Sequence, residues 1–557
     1  MGLITPDALG IDRRQLIAMA ATPLTPTHRS PSPVSAAKDK LYIGQAARLS
    51  ARIPADWTCD GTTQTNYRGE DGFIFSYPMR GTSLDEASQA VSELMMATSG
   101  PIMHISEQGM VGRQIDGMFS DRPARATILP HPTPFFLYST KVAFVVVIAD
   151  PDHNDQILSS LSFDPALITP TAYLSGIIDI LEATAWYGTG IDWEWIRTST
   201  LQEVEGLTTL ESVQGSVLNL LALLRAAGDN HSYVLLPDNA SALQERRGFG
   251  MLVGGTRILA VYEGSPAAKA GLRDGDEIEL VNGDPPAPEN GLDPGMPSTY
   301  SPSMWESPAA LVVRRAEESE PIRATVASAS YEFYRPPRGH RLPEGIGYLE
   351  IPEFRIPGRE QSFATIGNAL LAQIDQQPLA GWIVDLRLNF GGGYSPMVTA
   401  VAALLGNTTI VSWLSRQGVH TWIAMHDGAV LSDGKTIADY LVTDGVTRLN
   451  EAAPRVAVLT GRYTSSSGEV AALAFVGRPN TRRFGDKTGG FTTANQLFWL
   501  FDGTQFGLAV SAMTDRNGEI YPTGLAPDEV IPIDWAAFGT EQDPVIAAAI
   551  DWLAGAD

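Results

Sequence analysis

The sequence predicts a multidomain α/β protein. Its 557 residues exceed what one hydrophobic core usually supports. Apolar residues make up 44% of the chain, ample for several cores. From residue 331 onward, short apolar runs of strand length alternate with longer runs of helical period, the pattern of an open α/β sheet.

Charge and composition narrow the function. With 39 basic and 63 acidic residues the net charge is −24, which argues against nucleic-acid binding, because affinity for a polyanion comes from clustered Lys and Arg. No apolar run approaches the ~18–20 residues that span a bilayer, so no membrane span is expected. The lone Cys59 excludes an intrachain disulfide and any zinc site built from several cysteines. It reads more readily as a small, partly buried residue than as a reactive thiol. The histidines form no HExxH motif or close pair, so neither a metal nor a cofactor is expected.

Residues 1–36 read as an export signal or as a disordered Pro/Ser/Thr-rich tail. Arg13-Arg14-Gln15-Leu16-Ile17 has a twin-arginine pattern, a short apolar stretch runs to Leu24, and Val34-Ser35-Ala36 has the small-residue spacing of a cleavage site. Residues 37–165 form an accessory α/β domain: "FIFSYP" and "KVAFVVVIAD" are strands, while "LDEASQAVSELM" and "NDQILSSL" are helices. Residues 166–247 are helical. In "SVQGSVLNLLALLRAAG", Val213, Val217, Leu221 and Leu224 share one face, and Gly228 ends the helix. "DNHSYVLLP" then runs from a short loop into a strand.

Residues 248–328 open with "GFGMLVGGTRILAVYEGSPAAKAGLRDGDEIELVNGDP" and resemble a PDZ domain. Gly248, Phe249, Gly250 and Met251 stand at the loop that would take a peptide carboxylate. A glycine-bounded loop can aim backbone N–H groups at such a carboxylate while a sheet edge accepts the peptide as an added strand. The alternative is a PDZ fold that only packs against its neighbour. The proline-rich "GDPPAPENGLDPGMPSTYSPS" interrupts this module as a long surface loop.

The remaining residues, 329–557, carry the chemistry. "IGYLEIP" and "GWIVDLRL" read as strands, "FATIGNALLAQI" and "SPMVTAVAALL" as helices. In "IVDLRLNFGGGYSP", Asp385 and Arg387 lie at a strand end, followed by Asn389 and Gly391, Gly392 and Gly393. Three glycines let the backbone turn sharply and present N–H groups to an oxyanion. In "VLTGRYTSSSGEVAALAF" an apolar strand meets a helix at three serines. Ser466-x-x-Glu469 reads locally as a capping box, in which the hydroxyl satisfies an orphan N–H; equally, a serine on such a turn has an exposed Oγ, with the next N–H aimed where an oxyanion forms.

Taken in order, "DLRLNFGGG", "VAVLTGRYTSSSGEVAAL", "GDKTGG" and "GLAPDEVIP" resemble the carboxyl-terminal processing (tail-specific) serine protease family, over roughly residues 170–540. The resemblance implies a crotonase-like α/β catalytic core with a PDZ domain inserted ahead of it. It also implies that the serine three residues before Glu469 is the nucleophile, which selects Ser466, with Ser465 and Ser467 as register alternatives. The oxyanion would be held by Ser467 and the glycine loop, Gly391 and Gly392 foremost. In the family's Ser–Lys branch the lysine falls where this chain has Phe491, and Lys487, the only lysine after Ser466, matches an earlier, non-catalytic position. The tricorn-like branch uses a histidine in a D-x-H loop, which Asp229-Asn230-His231 fits. An imidazole with a pKa near ~6.5 can take the hydroxyl proton near neutrality. His231 is therefore the expected general base, against the alternative of a structural turn histidine. That branch also implies a glutamate orienting the imidazole; Glu519 is nearest, although Tyr521 occupies the expected place and "DRNGEIYP" also reads as an exposed turn.

The expected function is an exported serine endopeptidase acting on unfolded or C-terminally exposed polypeptides. The alternatives are a catalytically silent peptide- or ligand-binding protein on the same fold, or a PDZ scaffold.

Overall fold

The computed structural model describes residues 39–555 apart from 60–65, 80–82, 96–102, 108–109, 120–121, 138–139, 237–246, 287–306 and 442–444. The segment 1–36 and most of the proline-rich stretch lie outside the described residues. The chain divides into two units: residues 1–244 with 495–510, and residues 245–494 with 511–557.

In the first unit, strict alternation builds a sheet buried on both faces. Phe73, Phe75 and Tyr77 of the strand Phe73–Met79 pack with Ala87 and Val91 of the helix Leu84–Leu94. Ile74 points the other way, into a core with Val145, Val147, Ile157 and Leu161. The antiparallel sheet has seven strands in the order Thr58–Cys59, Tyr67–Arg68, Phe73–Met79, Thr140–Ala149, Arg122–Leu137, Met110–Phe119, Met103–Glu107. The helix Pro151–Ser159 begins at Asp150, whose Oδ1 accepts from the N–H groups of Asp152 and His153.

Three helices follow, Pro170–Thr184, Trp193–Glu203 and Gln214–Ala226. Val213, Val217, Leu221 and Leu224 share a core with Tyr173, Ile177 and Leu181. Phe498, Phe501, Phe506 and Leu508 enter the same core. Residues 495–510, which the sequence assigns to the region 329–557, thus bury their aromatic side chains in this first unit. Gln505–Gly507 also pair antiparallel with Tyr233–Leu235.

The second unit contains an antiparallel sheet of five strands, Met251–Gly254, Arg257–Val261, Glu277–Val281, Ala309–Arg314 and Ile322–Val326, with the short helix Pro266–Lys269. Beyond it lies a six-stranded sheet in the order Arg338–Arg341, Ile346–Glu350, Gly381–Asp385, Val456–Thr460, Thr481–Gly485, Glu529–Val530. All neighbours in it are parallel except the first pair. The buried strand residues Val384 and Val458 pack with Phe363 and Leu371 of the helix Glu360–Ile374 and with Val470 and Leu473 of the helix Ser467–Leu473. Ile383, Ala457 and Leu459 face Val545 and Ala549 of the helix Pro544–Leu553. An antiparallel ribbon, Thr408–Ser415, His420–His426, Ala429–Ser432 and Lys435–Ala438, pairs with Ser511–Asp515.

Asp385 and Arg387 play a fastening role in this fold. Arg387 is fully buried, donates from Nε and Nη2 to Asp385, and from Nη1 to both oxygens of Asp543 at 3.0 and 2.8 Å. Asp543 caps the helix Pro544–Leu553. A single guanidinium thereby ties the end of the central strand to the C-terminal helix.

Candidate active site

The strand Val456–Thr460 is buried along its length and ends in a turn fastened at two points. Thr464 Oγ1 donates to the Leu386 carbonyl at 2.8 Å, and the Ser465 N–H donates to the Asn389 carbonyl at 3.0 Å. The next residue, Ser466, has φ 55° and ψ −122°. A left-handed φ in a side-chain-bearing residue costs about 1–3 kcal/mol and persists only where its surroundings enforce it. Such an elbow between a strand and a helix lifts the side chain clear of the backbone. Ser466 and Glu469 have the reciprocal arrangement of a capping box. The Glu469 N–H also donates to the Ser466 carbonyl at 2.8 Å.

The glycine loop lies against this elbow. A β-carbon on Gly391 (φ 90°) would stand 2.8 Å from the Ser466 Cβ and 3.0 Å from the Ser467 nitrogen; on Gly392 (φ 109°) it would be 1.8 Å from the Phe354 carbonyl oxygen. Both the conformation and the contact therefore require glycine. Phe354 binds the loop through its N–H to the Gly391 carbonyl (3.1 Å) and its carbonyl from the Gly393 N–H (2.8 Å). The Ser467 hydroxyl donates to the Gly392 carbonyl.

These bonds decide which amides are open. The Gly391 N–H, expected at the oxyanion, donates to Asn389 Oδ1 at 3.0 Å, because Asn389 folds back on the loop while its Nδ2 donates to the carbonyls of Ile351 and Pro352. The N–H groups of Gly392 and Ser467 have no hydrogen-bond partner among the described residues. The sequence placed Asn389 beside the glycines without a role. The signal available was its position two residues ahead of Gly391, the spacing of an Asx turn.

Glu469 is completely buried. Its Oε2 accepts from the Ser466 N–H at 3.0 Å, and its Oε1 accepts from the Thr488 hydroxyl at 2.6 Å and the Gly490 N–H at 2.9 Å. Burial pushes its carboxyl up to about 7, against the opposing pull of these donors. Lys487 is exposed, and its Nζ donates to Thr523 Oγ1 at 2.8 Å.

Glu519 is the residue expected to orient the imidazole. It is exposed in a turn where its N–H donates to Asp515 Oδ1 and its carbonyl accepts from the Asp515 N–H, both at 3.0 Å. Its carboxylate has no hydrogen-bond partner among the described residues. The buried carboxylate nearby is Asp515, which accepts from the Tyr521 hydroxyl at 3.0 Å. Burial and then this carboxylate push the Tyr521 phenol up to about 12.

His231 belongs to the first unit, where its loop is firmly held. Asp229 Oδ1 accepts from the N–H groups of His231 (2.9 Å) and Ser232 (2.8 Å), and its Oδ2 accepts from the Ser232 hydroxyl at 2.5 Å. The Ser232 oxygen accepts from the Ala509 N–H at 2.8 Å, and Asn495 Nδ2 donates to the His231 carbonyl at 2.9 Å. The backbone bearing the imidazole is thus fixed on three sides.

Gly248 pairs with Ala329, and Phe249 and Met251 point into the core of the five-stranded module. The Gly250 carbonyl accepts from the Tyr262 N–H (2.9 Å) and from Ser265 Oγ (3.0 Å), while the Phe249 carbonyl accepts from the Ala267 N–H (2.8 Å). Those bonds shape the loop before Met251 around the start of the helix Pro266–Lys269.

Residues 345–531 match the model of Peptidase family S41. The nisin-resistance protein of Lactococcus lactis subsp. lactis is 33% identical over 181 residues, 32% of this chain and 54% of that protein. A carboxyl-terminal-processing protease of Synechocystis is 25% identical over 303 residues, 54% of this chain and 65% of that protein. The chain thus matches less than two thirds of the length of either relative. A solved photosystem II D1 C-terminal processing protease aligns with TM-score 0.43 and 20% identity, covering 66% of this chain and 94% of that one. The likeness is thus to a peptidase family and to carboxyl-terminal-processing proteases. No described helix is long and apolar enough to cross a membrane.

Proposed function

We propose that the chain is a serine endopeptidase that cleaves unfolded or C-terminally exposed polypeptides, with Ser466 as nucleophile and His231 as general base. The observation that carries this reading is the strained Ser466 elbow, at φ 55° and followed by a Ser467 N–H without a hydrogen-bond partner among the described residues. A pure cap would need neither the left-handed φ nor the open amide.

In this mechanism His231 takes the Oγ proton as Ser466 attacks the scissile carbonyl, then returns it to the leaving amine. The Ser467 N–H and the Gly392 N–H stabilise the oxyanion; of the two glycines expected there, Gly391 has its N–H already donated to Asn389. The third member that would orient the imidazole is the exposed Glu519 if it turns toward His231. The unshared position of Lys487, out in solvent and bonded to Thr523, favours histidine over lysine as base.

The five-stranded module at 248–328 is read as a PDZ domain inserted ahead of a crotonase-like core. Through the loop at Gly248–Met251 it would take an extended segment with a free carboxylate. The twin-arginine pattern near the N-terminus supports export. The test compares the parent with Ser466→Ala on an unfolded protein bearing an apolar C-terminus, offered as the free acid and as the amide. The reading expects cleavage by the parent alone, and faster with the free acid. Equal rates on acid and amide would remove carboxylate recognition from it, and cleavage by Ser466→Ala would remove the nucleophile.

A further inference from the structure

Glu469 enters no step of the reaction just described, yet it is fully enclosed and four donors converge on its carboxylate. They are the Ser466 N–H, the Thr488 hydroxyl, the Gly490 N–H and the Phe491 N–H. Two segments of the chain therefore meet on one side chain: the serine elbow and the 488–491 loop. The loop is itself anchored, because Thr488 Oγ1 accepts from the Leu525 N–H at 2.7 Å and the Thr488 N–H donates to the Leu525 carbonyl at 3.1 Å. An elbow with φ 55° needs an external restraint on the peptide that leads into it, and the Ser466 N–H is the atom restrained.

Resting on Ser466 as nucleophile, we propose that Glu469 is a positioning residue: its carboxylate clamps the Ser466 amide to the 488–491 loop and so keeps Oγ and the Ser467 N–H aimed at one substrate carbonyl. A carboxylate suits the task because it offers acceptors only, and all four groups around it donate. A buried carboxylate without a cationic partner is otherwise costly. The surrounding charges do not supply one. Lys487 is exposed and bonded to Thr523, Asp486 is exposed, and Arg387 is taken up by Asp385 and Asp543. Arg355 donates to the Phe390 carbonyl, and Arg462 lies over the Tyr463 ring. Burial raises the carboxyl to about 7 even though all four donors pull it down.

Glu469→Gln keeps the size but turns an NH2 toward N–H donors, so the clamp loses acceptors while the fold is retained. The expected result is a kcat lower by about tenfold to a hundredfold with KM within about twofold, as for a small misplacement of a reacting group. Melting should stay close to the parent, and fluorophosphonate labelling of Ser466 should slow by a similar factor. Thr488→Val should show the same split more weakly. Unchanged kcat in both variants, or a loss that follows only from unfolding, overturns the proposal. If the parent itself neither cleaves nor labels, the nucleophile reading fails, and amide hydrogen exchange decides the clamp separately. Faster exchange at Ser466 and Gly490 in Glu469→Gln upholds it, and unaltered exchange refutes it.

Discussion

Gly391 leaves no room for a side chain against Ser466: a β-carbon added to Gly391 would lie 2.8 Å from the Cβ of Ser466 and 2.8 Å from the Ser465 carbonyl oxygen. The glycine loop and the serine elbow therefore form one surface, and the geometry of each depends on the other. Gly391→Ala brings both this collision and backbone strain of about 1–3 kcal/mol at φ 90°. A folded but less stable protein with peptide hydrolysis reduced by orders of magnitude is expected, measured by melting and steady-state kinetics. Full activity in this variant would show that the loop can move aside without consequence.

The general base is decided by two variants and a pH profile. His231→Ala should reduce kcat by orders of magnitude, as when one member of a catalytic unit is removed. Lys487→Ala should retain most activity, since its ammonium is held in solvent by Thr523. The rate of the parent should rise with pH through an apparent pKa of roughly 6–7 as the imidazole becomes neutral. The reverse pattern, an active His231→Ala and an inactive Lys487→Ala, would transfer the role to lysine.

Glu469 also predicts a pH dependence of stability. Its carboxyl is raised from 4.5 to about 7 in the folded chain, so the folded state holds this proton more tightly than the unfolded one. The corresponding stability is fully present below about pH 4.5 and is lost as pH rises through about 7. Urea unfolding across that window should show Glu469→Gln with a flatter pH dependence than the parent. A parent and variant that change in parallel would contradict the shift.

Arg387 is buried between Asp385 and Asp543, whose side chains are 1% exposed. Removing the guanidinium strands two carboxylates in the interior, and breaking a buried pair typically costs about 3–5 kcal/mol. Arg387→Ala should therefore lower the melting temperature far more than a surface Arg482→Ala, whose partner Glu529 is solvent-accessible. Comparable melting of the two variants would remove Arg387 from the list of fold determinants.

Much of the architecture is legible in short-range pattern. The alternation in "FIFSYP" and the apolar run in "KVAFVVVIAD" become the strands Phe73–Met79 and Thr140–Ala149, and the 3.6-residue spacing of Val213, Val217, Leu221 and Leu224 becomes a buried helix face. "SPMVTAVAALL", read as one helix, breaks at the β-branched Val401 into Tyr394–Ala400 and Ala402–Leu405. The ribbon from Thr408 to Ala438 passed unread, because its short strands mix polar and apolar residues on partly exposed faces. The placement of residues 495–510 was equally hidden, since Phe498 and Phe506 find their partners hundreds of residues away. At the site, the motif order pointed to Ser466 and the glycines. What it could not carry was the allocation of individual N–H groups: Asn389 occupying Gly391, or Glu469 reaching Thr488, are side-chain contacts that no local period encodes. Glu519, chosen by its nearness in sequence to the terminal motif, stands exposed in a turn.

The central claim is that Ser466 is an activated nucleophile and not a helix cap. Peptide mass spectrometry of the full chain after fluorophosphonate treatment tests it most directly, with Ser466→Ala run alongside. The account predicts one adduct, on Ser466, absent from the variant while Ser465→Ala and Ser467→Ala still label. An unlabelled parent, or an adduct that persists in Ser466→Ala, would contradict it.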